Sequence, residues 1–155
     1  MFIEVLDNIR SLYNVGSIFR TADAFGVDKI CLCGYTPAPT KDRQKKEIHK
    51  TALGAEEFIA WEKHNQTWKL LDNLKKQGFY IIGLEIDKKS VNISKFKPLM
   101  KERNIALIVG NEVKGLSQKI LERCDKIIKI PMLGKKESLN VGVSFGIAAF
   151  YLRNH

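Results

Sequence analysis

Apolar positions along this chain come in short bursts, separated by polar stretches that carry glycine and proline. Two kinds of spacing alternate. Residues 2–6 (FIEVL) and 29–33 (KICLC) read as short strands, and 79–84 and 105–109 are continuous apolar runs. Such runs suit strands covered on both faces. Between them the apolar spacing lengthens to that of a helix. Ile18, Phe19, Ala22 and Phe25 form one stripe of a helix over about 15–25, with Gly26 as its stop. Asn65 is placed to cap a second helix running to Lys76, with Trp68, Leu71 and Leu74 inward and Gly78 past its end. Ser117 is placed to cap a third over 118–123, and a fourth runs from about 141 to 153. Short strands are also expected at 58–61, 79–84 and 126–130, the last stopped by Pro131. Residues 34–50, with Pro37 and Pro39, read as a mobile basic loop. The repeated strand–helix order predicts an α/β fold, a parallel sheet flanked by helices. In such sheets ligands bind beyond the carboxyl ends of strands, so residues just after each strand are the first to inspect.

Composition narrows the picture. The 155 residues suit a single domain, and 45% hydrophobic content supplies a core. No apolar run spans a bilayer and the first residues lack the pattern of a signal peptide, so a cytoplasmic protein without a membrane partner is expected. Cys31, Cys33 and Cys124 lack the count and spacing of a disulfide framework. Cys31 and Cys33 share a face at strand spacing and read as small buried hydrophobes; no metal site is expected, because His49, His64 and His155 show no zinc-like spacing with them. A net charge of +9 favours a polyanionic partner, RNA or DNA first.

Three segments carry chemistry. In NIRSLYNVGSIFRTADAFG, Asn14 and Gly16 mark a helix entry and Arg20 follows about one and a half turns on. In ALIVGNEVKGLS an apolar strand breaks at Gly110, Asn111 and Glu112, where glycine lets a ligand approach the backbone. That spacing is neither the dinucleotide fingerprint nor the P-loop. In IPMLGKKESLNVGVSFGIAAFYLRN a strand end leads through a polar loop with Ser138 and Asn140 to a small-residue helix. Each segment alone is also an ordinary turn with a helix cap.

Together and in this order they resemble the three motifs of the SpoU (TrmH-like) branch of the SPOUT RNA methyltransferases. The matching pieces are NVGSIFRTADAFG at 14–26, IVGNEVKGLS at 108–117, and IPM followed by SLNV at 130–141, with KTALGAEE at 50–57 similar to the family's segment after the basic loop. The resemblance covers nearly the whole chain, as one domain without an N-terminal RNA-binding extension. It departs from the commonest form after Asn140, where Gly142 and Phe145 replace small polar or alanine residues.

The resemblance implies a C-terminal deep trefoil knot including 132–142, a homodimer with the active site near the subunit interface, and S-adenosyl-L-methionine as cofactor. Leu84, Gly110, Ile130, Met132, Ser138 and Leu139 would line the cofactor pocket. The implied reaction is transfer of a methyl group to a ribose 2′-hydroxyl of tRNA or rRNA. Arg20 would be essential, as a proton acceptor or as a clamp on the substrate phosphate. Asn14 would orient it, and Glu112, Ser138 and Asn140 would complete the polar cluster. Lys41, Arg43, Lys45, Lys46 and Lys50 would contact RNA phosphates. An RNA-binding protein without turnover and a base-modifying knotted methyltransferase are the alternatives.

Overall fold

The computed structural model describes residues 1–97 and 104–154. Among these residues seven strands, β1 (Phe2–Asp7), β2 (Lys29–Cys33), β3 (Ala60–His64), β4 (Tyr80–Leu84), β5 (Val91–Asn92), β6 (Ile105–Val109) and β7 (Lys126–Lys129), form one sheet in the order β3-β2-β1-β6-β4-β7-β5. Every strand pairing is parallel. The chain builds outward from β1 to β3, crosses to β4 and β5, and then inserts β6 and β7 between strands laid down earlier. The order therefore reverses beside β1, the position where an open parallel sheet forms a crevice.

Side-chain alternation on β1 separates two cores. Phe2 and Leu6 belong to one with Ile18 and Phe19 of α1 (Leu12–Ala24) and Phe145 of α6 (Val141–Asn154). Ile3 and Val5 belong to the other with Leu71 and Leu74 of α4 (Thr67–Lys76) and Ile120 of α5 (Gln118–Leu121). Cys31 and Cys33 share this second face, buried, as their spacing predicts. Glu4 lies at the centre of β1 with no exposure, and neither carboxylate oxygen has a partner among the described residues. Burial pushes its carboxyl well above the ordinary value, which favours the neutral acid.

Residues 29–33 and 105–109 form strands with the predicted bounds. The strands expected at 2–6, 79–84 and 126–130 shift by one residue at an end, α5 stops at Leu121 short of the expected 123, and other elements differ more. The basic segment is not a loop: it forms helix α2 (Asp42–Ala52), with Ile48 and Ala52 buried against α1 and Arg43, Lys45, Lys46 and Lys50 exposed. Its polar residues are adequate helix formers, and one thin apolar edge suffices once α1 provides the partner surface. Gly16 permits that approach, since a Cβ there would collide with the Ile48 carbonyl and Thr51 Oγ1. Helix α1 also begins earlier than predicted, because Ser11, whose Oγ accepts from the Asn14 N–H at 3.2 Å, is its cap. Phe58 ends a short helix, α3 (Ala55–Phe58), and the strand expected there starts at Ala60. The cap of α4 is Gln66, not Asn65. Ser117 does occupy the N-cap position of α5, without a side-chain hydrogen bond. The two-residue β5 and the 3-10 turn Ile93–Lys95 have no periodic signal of their own. Among the described residues no helix is long and apolar enough to cross a membrane.

Candidate functional site

The carboxyl ends of β4, β6 and β7 open into a cavity of about 360 Å³. Leu84 comes from β4, Gly110 follows β6, Ile130 and Met132 follow β7, and Ser138 and Leu139 lie on the loop that leads to α6. These are the six positions expected at a cofactor pocket, and all line this cavity. Asn14, Glu112 and Asn140 line it too.

Those three polar side chains form a chain of hydrogen bonds. Asn14 Nδ2 donates to Glu112 Oε1 at 3.1 Å, and Asn140 Nδ2 donates to Asn14 Oδ1 at 3.0 Å. Asn140 Oδ1 in turn accepts from the N–H groups of Gly142 and Val143, at 2.9 and 3.3 Å, capping α6. The cap and the link to Asn14 are thus made by one side chain. Gly142 leaves room for this, since a Cβ there would lie 3.2 Å from Asn140 Oδ1 and 3.3 Å from Ser17 Oγ. Phe145, the other departure from the commonest motif, is fully buried in the core. At the opposite end, Glu112 accepts from the N–H of Arg10 and of Ser11, each with an approach of 3.0 Å. Burial pushes the Glu112 carboxyl up, but these backbone donors and the Asn14 amide outweigh it and hold the pKa below the ordinary value. Glu112 is therefore a fixed anion at the start of α1.

Two loops bound the cavity. In the first, Asn111 Oδ1 accepts from the N–H of Val113 and Lys114, and Glu85 Oε2 accepts from the Leu116 N–H at 2.8 Å. Gly110 is packed against it: a Cβ would lie 2.6 Å from the Gly115 carbonyl carbon. Gly115 has φ +65, and a Cβ there would run into Glu85. In the second loop, 131–139, the backbone N–H and C=O groups form no hydrogen bond with any described residue.

Arg20 is not part of this cavity. It is exposed on α1, and its side chain makes no hydrogen bond or ion pair among the described residues. Sequence reasoning missed Glu85 and the structural part of Asn111. Glu85 directly follows β4, so attention to strand ends would have found it.

Away from the cavity, Cys31, Glu62 and His64 place potential ligand atoms within 4.8 Å of one another on β2 and β3. Lys29 already supplies the positive charge there, with Nζ 2.5 Å from Glu62 Oε1. Burial pushes the Cys31 thiol up to about 12. His49 is engaged elsewhere, with Glu56 at 2.6 Å.

Comparison with known proteins agrees with this geometry. A Staphylococcus haemolyticus protein named for the TrmH family of tRNA/rRNA methyltransferases is 30% identical over 155 residues, which are 99% of this chain and 59% of that protein. The AdoMet-bound rRNA methyltransferase from Sinorhizobium meliloti superposes with a TM-score of 0.88 at 27% identity, covering 99% of this chain and 56% of that one. A TrmH/SpoU tRNA modifying enzyme from A. aeolicus gives 0.84 at 31% identity, over 98% of this chain and 73% of that one. The chain thus spans somewhat more than half the length of the curated relatives it matches. The model of the SpoU rRNA Methylase family matches residues 1–150, and the chain belongs to that family.

Proposed function

We propose that this protein is an RNA methyltransferase that uses S-adenosyl-L-methionine to methylate a ribose 2′-hydroxyl of tRNA or rRNA, in the cytoplasm. The observation that carries the reading is the cavity at the ends of β4, β6 and β7, edged by the Glu112–Asn14–Asn140 chain that joins all three motif segments. Its residues suit the cofactor. Leu84, Ile130, Met132 and Leu139 offer an apolar wall for an adenine ring, and the unused backbone groups of 131–139 offer hydrogen bonds to its edge. The lining carries Glu85 and Glu112 together with Lys114 and Lys129, so charged groups of both signs stand at its edge. When bound, S-adenosylmethionine supplies an electrophilic methyl group on a sulfonium sulfur.

The residues of the chain then have to position a ribose oxygen and manage its proton. Asn14 and Asn140 are held rigidly enough to orient the substrate, and Ser138 adds a hydroxyl at the same rim. Arg20 brings a planar guanidinium fork that matches phosphate geometry. Its role in this reading is to hold the adjoining phosphate and stabilise negative charge growing on the oxygen. The exposed Lys41, Arg43, Lys45, Lys46 and Lys50 would extend phosphate contact along α2, although Lys50 also pairs with Glu47 at 2.7 Å.

Arg20 lies outside the cavity of its own chain, so the reading requires a homodimer in which one copy's Arg20 completes the other's site. Val143, Ile147 and Phe150, exposed at helical spacing on α6, support such an interface. A trefoil knot is part of the same proposal, supported by the late insertion of β6 and β7 between earlier strands.

The test is methyl transfer from labelled S-adenosylmethionine into total tRNA and rRNA, with Arg20→Ala as control. Label mapped to ribose 2′-oxygens in one pool, and lost in the variant, is expected. Label on a base, or cofactor binding with no transfer to either pool, would overturn it in favour of a base-modifying enzyme or a non-catalytic RNA binder. Mixing Arg20→Ala with Asn140→Ala tests the shared site: random exchange in a two-fold dimer would restore about a quarter of the activity. No recovery would sink the shared site.

A further inference from the structure

A second groove, more open and of about 580 Å³, adjoins the cavity. Arg10, Tyr35 and Pro37 line it, and it shares Asn111, Val113 and Lys114 with the cavity. Tyr35 is the unusual member. Its side chain belongs to a residue 57% exposed, yet it is tied at both ends. Its N–H donates to Asn8 Oδ1 at 3.2 Å, and its phenolic oxygen accepts from Asn111 Nδ2 at 2.9 Å. Both anchors are themselves fixed. Asn111 is buried and also donates to the Asn8 carbonyl at 3.0 Å, while Asn8 sits at φ 57, a left-handed conformation uncommon outside glycine. Gly34, just before Tyr35, has φ +62, and a Cβ there would collide with Asn8 Oδ1. An aromatic ring left open to water but held this firmly is a prepared flat surface.

Its surroundings carry charge. Arg10 and Lys114 flank the groove, both exposed and neither in an ion pair among the described residues. A flat aromatic face between unpaired cations matches one ligand chemistry, a base with its phosphates. We infer that this groove is a subsite for one unpaired nucleotide of RNA, with the base stacked on Tyr35 and the phosphates held by Arg10 and Lys114. The inference rests on the RNA-modifying reading above for its choice of ligand. A stacking surface tolerates any base, so the subsite recognises an unstacked nucleotide beside the reaction centre and not a particular letter.

The experiment uses the full chain and decauridylate carrying a single 5-iodouridine. Photocross-links are mapped by mass spectrometry, and affinity is measured by fluorescence anisotropy for wild type, Tyr35→Leu and Tyr35→Trp. The cross-link is expected on the peptide containing Tyr35. Loss of base stacking should weaken binding about tenfold or more in Tyr35→Leu, while Tyr35→Trp stays within about threefold of wild type. Cofactor affinity and the thermal midpoint, measured alongside, should not follow that pattern, which separates lost stacking from a damaged fold. Cross-links elsewhere, no cross-link, or equal affinity of the Leu variant would overturn the subsite. Methyl transfer assayed in parallel keeps the two claims apart. Transfer without the Tyr35 pattern removes the subsite alone, and the Tyr35 pattern without transfer removes the enzymatic reading alone.

Discussion

The two loops that bound the cavity are built on opposite principles. The loop after β6 is closed on itself: Asn111 and Glu85 satisfy its backbone donors, and Gly110 and Gly115 allow a packing that no side chain would fit. The loop after β7, 131–139, has no such internal support among the described residues, and nearly all of it is exposed. One wall is ready before a ligand arrives. The other has backbone groups that no described residue satisfies, so they are open to an incoming ligand. The difference suggests a division of labour, in which a rigid wall sets position and a loose wall closes over what is bound.

The largest effect should follow from breaking the rigid wall. Gly110→Ala forces a methyl group against the Gly115 backbone. Overpacking of this kind costs about 1–3 kcal/mol, and if that cost falls on the wall, cofactor affinity by calorimetry should fall about 5–150-fold. Unchanged affinity would mean the wall yields. On the loose side, hydrogen exchange should show 131–139 fast in the free protein and slowed at least about tenfold by saturating S-adenosylmethionine. Protection already present without ligand would abolish the contrast.

A smaller change separates the wall from its anchor. Glu112→Gln leaves a single oxygen to accept bonds that two now share from Arg10, Ser11 and Asn14. Because the folded-state pKa of Glu112 is depressed, its contribution to stability is full above the ordinary carboxylate range and is lost as pH falls through the folded value. The variant should unfold more readily at neutral pH and lose less on acidification, as thermal melts from pH 7 to pH 3 would reveal.

Glu4 has the opposite sign and touches neither loop. Its folded pKa is raised, so the folded chain binds more protons than the unfolded chain once pH rises above about 4.5, and stability declines from there. Glu4→Leu should remove this decline and raise the thermal midpoint at pH 8 more than at pH 5. Equal shifts at both would show the carboxyl finds a partner.

Much of this was legible in the chain. The run of β6 has its predicted bounds because burial on both faces leaves no polar residue within it, and β2 keeps its bounds with four buried residues following Lys29. The six cavity-lining positions were reachable because each stands at a strand end or in a motif segment. Helix α2 was misread because its only apolar support is Ile48 and Ala52, and the surface they pack on is α1, far away in the pattern. Glu4 gave no warning either: a polar residue within an apolar strand reads as an outward-facing position unless helices cover both faces.

Local periodicity and short motifs therefore settle which segments are strands or helices and which residues are candidates for chemistry, because both depend on neighbours within a few positions. Non-local pairing settles the rest. Asn14 meets Glu112 across 98 positions and Asn140 across 126, and these meetings follow from β6 lying between β1 and β4. The same packing leaves Arg20, six residues from Asn14 in the chain, outside the cavity that Asn14 lines. Strand order and helix facing come from the burial of whole elements against one another, and no window of sequence contains that sum.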